Sequence, residues 1–300
     1  MKRVLAVLSL VAVAFGLVTV PAPAIVNGDN AATNPGAVSL WTDSPARNRC
    51  TGTLVDDEQG GPGTKWVLTA AHCIYSFTAP GAGNVTARIG STDNTTGYVP
   101  IKVVPGQFWY NPAFDVNTLG NDVMLMLLES ETPASVQVMK WRKPSLPVGA
   151  ITQAYGWGWV CDGPAGQSCS TWYMGPLQRM IAKRLANASC ATHLDPSQIC
   201  FGASPDGFTM ACLGDSGGPM KSPDFDGSPI LRWSIVGDGD DFNGASCTTK
   251  PDGTPGLGLA IDIGRPDIQA WMGGVMGGSG SFGTLSALPA PTSRVLSLIG

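Results

Sequence analysis

The sequence predicts an all-β protein. Short apolar stretches recur between turn signals, helical periodicity is scarce, and the 300 residues include 39 glycines and 24 prolines, which punctuate a chain into turns. Many short strands at modest spacing read as a sandwich or barrel, not as a βαβ fold. In chain order the strand candidates are Trp66-Val67-Leu68, Ile101-Lys102-Val103-Val104, Val123 to Leu128 and Ile230 to Val236. Connectors rich in Gly and Pro separate them, such as Gln59 to Thr64 and Ala79 to Asn84. Asp267 to Met272, following Pro266, reads as the start of a short helix with an acidic residue near its positive end. Pro144 and Pro147 mark a connector between two halves, 25–143 and 144–272. The stretch 273–300 is rich in Gly, Ser and Pro and reads as a flexible tail.

Composition removes several function classes. Charged residues make up 13% and hydrophobic residues 43%, the reverse of what keeps a chain disordered. A net charge of −4 offers no basic footprint for nucleic acid. Residues 1–24 read as a signal peptide. Lys2 and Arg3 are followed by an uncharged run from Val4 to Val20, then by Ala22-Pro23-Ala24, the small-x-small pattern of a cleavage site. That run is shorter than the roughly 20 residues a spanning helix prefers, and no later apolar run is long enough to span. The mature chain is therefore expected to be secreted, with no membrane partner.

The eight cysteines, at 50, 73, 161, 169, 190, 200, 212 and 247, include no Cys-x-x-Cys pair, so zinc-ribbon and thioredoxin readings lack their spacing. Exported chains meet oxidising conditions in which thiols pair. Four disulfides are expected, drawn from on the order of a hundred connectivities.

Three segments carry chemistry. Gly214-Asp215-Ser216-Gly217-Gly218-Pro219 sets a serine among glycines, whose freedom lets amide hydrogens converge on one point. A serine hydroxyl needs a base to take its proton and donors to stabilise an oxyanion. His72, one of two histidines, ends the strand-like run Leu68-Thr69-Ala70-Ala71 and precedes Cys73. Asp122 stands at the mouth of the apolar strand Val123-Met124-Leu125, and a buried carboxylate requires a partner. The other histidine, His193, lies in a polar loop near Cys190 and Cys200 and reads as a surface residue.

Together these segments resemble the trypsin/chymotrypsin family of serine proteases, in its chain order of His, Asp, Ser. Ile25-Val26-Asn27-Gly28, Cys50-Thr51-Gly52-Thr53-Leu54, Tyr155-Gly156-Trp157-Gly158 and Pro255-Gly256-Leu257 extend the resemblance from Ile25 to Met272. It implies two antiparallel six-stranded β-barrels packed face to face, with a short C-terminal helix. His72 and Asp122 would lie in the first half, Ser216 and the specificity pocket in the second. By the same resemblance Ser216 is the nucleophile, His72 the general base, and Asp122 the residue that orients the imidazole. The amides of Gly214 and Ser216 form the oxyanion hole, and a freed Ile25 amine pairs with Asp215. The signal cleavage falls directly before Ile25, so export itself is expected to create that terminus.

The resemblance also implies disulfides Cys50–Cys73, Cys190–Cys200 and Cys212–Cys247, which leaves Cys161 with Cys169. It implies polypeptide substrates, protein protease inhibitors as further partners, a monomer, and no cofactor or metal. The loop Gly90 to Val99 carries Asp93 but lacks the glutamates by which some relatives bind calcium. Met210 stands where trypsin carries a basic-specific Asp, and Gly239 and Gly256 fall at the pocket walls. This predicts cleavage after apolar residues, unless Asp238, Asp240 or Asp241 reaches inward. Gly237 and Asp238 replace a usual Ser-Trp pair. A binding protein that has lost catalysis, and an esterase using the same serine, are the alternatives.

Overall fold

The computed structural model describes residues 25–57, 63–159, 174–190, 195–203, 209–238, 247–248, 253–279, 283 and 287–299. Strand β1 is the short Asp29–Asn30. The first barrel comprises β2 (Ala37–Asp43), β3 (Ala46–Leu54), β4 (Trp66–Thr69), β5 (Val85–Ile89), β6 (Val99–Tyr110) and β7 (Met124–Leu128), closed in the order β2-β3-β4-β7-β6-β5. The second comprises β8 (Ile151–Gly156), β9 (Gln178–Arg184), β10 (Gln198–Ala203), β11 (Pro219–Pro223), β12 (Pro229–Asp238) and β13 (Gly258–Asp262). Its sheet runs β9-β10-β13-β12-β11-β8 and closes through β9–β8, with β1 added on β9. All the ladders are antiparallel. Closure leaves few free strand edges.

Burial follows side-chain chemistry. In β5, Val85, Ala87 and Ile89 point inward while Thr86 and Arg88 are partly exposed, the period of a half-buried strand. β7 is nearly all buried, which is why Met124 to Leu128 reads as an unbroken apolar run. β2 and β3 are different: their interior includes polar groups. Trp41 Nε1 donates to Ser39 Oγ at 2.7 Å, Ser39 Oγ lies 3.0 Å from Asn48 Oδ1, and Arg49 Nε donates to Thr42 Oγ1 at 3.0 Å. Burial lowers the Arg49 pKa to about 10.

The strand candidates expand to β4, β6 and β12 and shorten by one residue to β7, and the helix candidate expands to α2 (Pro266–Met276) after the four-residue α1 (Ile74–Phe77). Pro266 opens α2, where its missing N–H costs nothing. Ile268, Trp271, Met272 and Val275 are its buried face. Part of the stretch 273–300 forms regular structure. α2 continues past 272, Gly283 pairs with Tyr110, and a further helix α3 (Ser293–Ile299) packs with Val295 and Leu298 buried. Gly, Ser and Pro dominate the composition of 273–300, but Val295 and Leu298, three apart, supply an apolar stripe that the body covers. No helix among the described residues is long and apolar enough to cross a membrane.

Among the described residues three disulfides tie the structure: Cys50–Cys73, Cys190–Cys200 and Cys212–Cys247. Cys161 and Cys169 lie outside the described residues.

Candidate active site

His72 sits in a 3-10 turn, Ala71–Cys73, that ends β4. Cys73 bonds to Cys50 of β3, so the turn is held covalently to the neighbouring strand. Asp122 arrives from the other side, just ahead of β7. It leaves a turn in which Leu119 (φ 58°) and Asn121 (φ 53°) are left-handed, a conformation Asn tolerates and Leu rarely adopts. The Asn121 amide donates to Ser197 Oγ at 2.7 Å, pinning that turn to the second barrel.

The two oxygens of Asp122 divide their work. Oδ1 accepts the His72 backbone N–H at 2.8 Å, and Oδ2 meets His72 Nδ1 at 2.6 Å. One carboxylate therefore fixes both the turn and the ring, and both residues are fully buried. The bond at Nδ1 leaves Nε2 as the accepting nitrogen of a neutral imidazole. His72 Nε2 is buried with no hydrogen-bond partner among the described residues. His72 and the sulfurs of Cys50 and Cys73 lie within 4.8 Å of one another, but the disulfide leaves neither sulfur as the thiolate that a metal requires.

Ser216 is 3% exposed and donates from Oγ to Val236 O at 3.2 Å. The structure thus joins His72 to Asp122 by hydrogen bonds but gives the Ser216 hydroxyl to β12. A hydroxyl rotor can exchange acceptors by turning about one bond, and such bonds are often unmade in resting sites. Among the described residues, no acceptor takes the amide hydrogens of Gly214 or Ser216. Gly214 is held at φ +92° and Gly217 at φ +80°, open to glycine and strained for other residues.

The Ser216 loop is bolted to the first barrel by Thr51, a residue that sequence motifs alone give no role. Its hydroxyl donates to Gly214 O at 2.9 Å and accepts from Trp157 N at 3.3 Å, while its amide donates to Ser216 O at 3.0 Å. Asn48 Nδ2 adds a bond to Trp157 O at 3.0 Å. Only position within a motif marks Thr51 in the sequence; its partners are more than a hundred residues away, so no local pattern reveals them.

Asp215 is completely buried, accepting from Gly158 N at 2.7 Å and Cys212 N at 2.9 Å. Burial pushes its carboxyl up to about 8 despite those two donors. Gly156 and Gly158 make its cradle: a Cβ on either would strike the carboxylate. Ile25 is also fully buried, and Val26 exchanges backbone hydrogen bonds with Met210 at 3.0 and 3.2 Å.

The pocket candidates are only partly described. Met210 is 1% exposed and packs with Ile25, Phe201 and Trp233. Gly256 lies so close to the Cys247 carbonyl that a Cβ would stand 2.6 Å from it. Gly239, Asp240, Asp241, His193 and the Asp238 side chain lie outside the described residues.

The family model described as Trypsin matches residues 25–225. The vitellin-degrading protease of Bombyx mori is 30% identical over 182 residues, covering 57% of this chain and 61% of that protein. Serine protease SP24D of Anopheles gambiae is 29% identical over 216 residues, covering 68% and 66%. Human kallikrein-7 is 30% identical over 177 residues, covering 57% and 61%. The chain therefore spans less than two thirds of the length of each of these relatives. With the family match running through the first barrel and into the second, from Ile25 past the Ser216 loop, the chain belongs to the trypsin family.

Proposed function

We propose that this protein is a secreted serine endopeptidase that hydrolyses peptide bonds through an acyl-enzyme on Ser216. The observation that carries the reading is the paired use of Asp122, 2.8 Å from the His72 amide and 2.6 Å from its ring. Ser216 attacks the scissile carbonyl as His72 Nε2 takes its proton and later passes it to the leaving amine. Asp122 holds the tautomer and stabilises the imidazolium without taking the proton itself. The amides of Gly214 and Ser216 receive the oxyanion, a contribution of about 3–4 kcal/mol per donor in such sites.

Residues 1–24 act as the export signal, and cleavage before Ile25 frees the amine that pairs with Asp215. An ammonium there offsets the burial that otherwise raises the carboxyl to about 8. Met210 gives the pocket an apolar floor and a preference for apolar side chains. Polypeptides are the substrates; protein inhibitors are further partners.

A serine-directed sulfonyl fluoride tests the nucleophile, with an adduct expected on Ser216. The alternative that this labelling separates is a catalytically silent binding protein on the same scaffold. Absence of any adduct would support that alternative. Mapping cuts in a mixed peptide library tests the pocket, and cleavage mainly after Arg or Lys would contradict the role given to Met210. Amino-terminal sequencing of active secreted protein tests the terminus, which is expected to begin at Ile25.

A further inference from the structure

We propose that the segment 287–299 is a built-in plug of the cleft containing His72 and Ser216, and that the enzyme is latent until this segment is displaced. The inference rests on the serine-peptidase reading above and adds a mode of regulation to it.

The segment lies against the two elements that carry the groups proposed to do the chemistry. α3 packs against the turn Ala71–Cys73 that carries His72. Leu298 rests on Gly237, the residue after the Val236 whose carbonyl holds the Ser216 hydroxyl. Contact there is close enough that a Cβ on Gly237 would stand 2.8 Å from Leu298 Cδ2. A glycine in place of the larger residue expected by family resemblance is what makes room for the leucine.

Two hydrogen bonds moor the segment to the first barrel on either side of the base. Tyr75, three residues after His72, donates from its hydroxyl to Pro289 O at 2.7 Å. Thr292 Oγ1 donates to Val116 O at 3.1 Å, six residues before Asp122. Tyr75 stands near enough to Asp122 for that charge to add to the burial that pushes its hydroxyl up to about 12. The hydroxyl therefore remains a donor throughout the neutral range.

The consequence is a sealed site. His72 is 0% and Ser216 3% exposed, Val295 is 0% and Leu298 6% exposed, and Nε2 faces no acceptor or donor among the described residues. α3 lies against the turn that carries His72, and Leu298 against the residue after Val236, so a plug seated there narrows the approach of a substrate carbonyl to both groups. The closure is reversible by design of its contacts. α3 has seven residues, too few to hold a helix away from the body, and among the described residues it is bound by apolar packing and hydrogen bonds, not by a disulfide. A leucine side chain seated on Gly237 also fits a cleft that takes apolar substrates.

The test uses the full chain and its Leu298→Asp variant, following the rate of sulfonyl fluoride labelling of Ser216. Burying an aspartate on Gly237 is unfavourable, so the variant is expected to label roughly tenfold faster or more. A synthetic peptide of residues 287–299, added at about millimolar concentration to match a short tether, is expected to slow the variant again. Melting temperature and circular dichroism establish that both chains are folded; if Leu298→Asp fails to fold, Leu298→Ser carries the same comparison. Equal, rapid labelling of wild type and folded variant overturns the plug and leaves the peptidase reading standing. No labelling of either folded chain overturns the nucleophile assignment itself, and the plug with it.

Discussion

Thr51 donates its hydroxyl to the carbonyl of Gly214 at 2.9 Å and its amide to the carbonyl of Ser216 at 3.0 Å, tying β3 of the first barrel to the Ser216 loop of the second. The hydroxyl oxygen also accepts the Trp157 amide at 3.3 Å. Both partners are buried, so the bonds are made out of competition with water and set the height of the loop that presents Ser216.

Thr51→Val keeps the shape and removes both bonds of the hydroxyl. Leaving the Gly214 carbonyl and Trp157 amide unpaired is expected to cost about 1–3 kcal/mol of stability, read as a lowered denaturation midpoint. The kinetic effect is expected mainly in kcat, with KM little changed, because the loop positions the reacting hydroxyl and not the substrate chain. Thr51→Ser restores the hydroxyl and should recover most of kcat, a rescue that a merely volumetric role would not give.

Asp215 makes a pH prediction for chains that still carry residues ahead of Ile25. Its folded pKa of about 8 lies above the reference value of 3.8. The folded state therefore keeps a proton that the unfolded chain gives up, and stability is lost as pH rises between those two values. Melting temperature of the extended chain should fall from pH 4 toward pH 8, and Asp215→Asn should flatten that slope. Freeing the Ile25 amine should flatten it as well, since a paired ammonium favours the charged carboxylate.

The glycine cradle predicts a steric effect that shape alone determines. In Gly158→Ala the new Cβ would lie 2.6 Å from Asp215 Cγ and 2.7 Å from the Leu213 carbonyl. Neither neighbour is the free end of a flexible chain, so the loop must move, at about 1–3 kcal/mol. Thermal melting and kcat/KM should both drop. Gly202→Ala is the contrast, because its nearest neighbours are the methyl groups of Leu185 and Leu257 at 3.3 and 3.4 Å. That change should leave the melting temperature nearly unmoved.

What the sequence reveals follows from how each element earns its burial. β4, β7 and β12 can be read from apolar runs because their side chains meet the barrel interiors directly. β2 and β3 cannot, since Ser39, Asn48, Arg49 and Thr51 are polar residues buried through hydrogen bonds, Ser39 and Arg49 to the facing strand of the hairpin and Asn48 and Thr51 also to the second barrel. His72, Asp122 and Ser216 stand out because their motifs are local. The bond of Ser216 to Val236 and the seating of Leu298 on Gly237 are invisible in the sequence, as each depends on a rotor or on chain reversal over tens of residues.

The imidazole and the hydroxyl belong to different barrels, connected at the seam by hydrogen bonds that include those of Thr51, Asn48, Asn121 with Ser197, and Gln198. A slip of one barrel against the other by an ångström would separate them while every ladder stayed intact. Such a molecule should fail by misalignment before it fails by melting: on gentle heating, turnover would disappear while the circular dichroism of folded strands persisted.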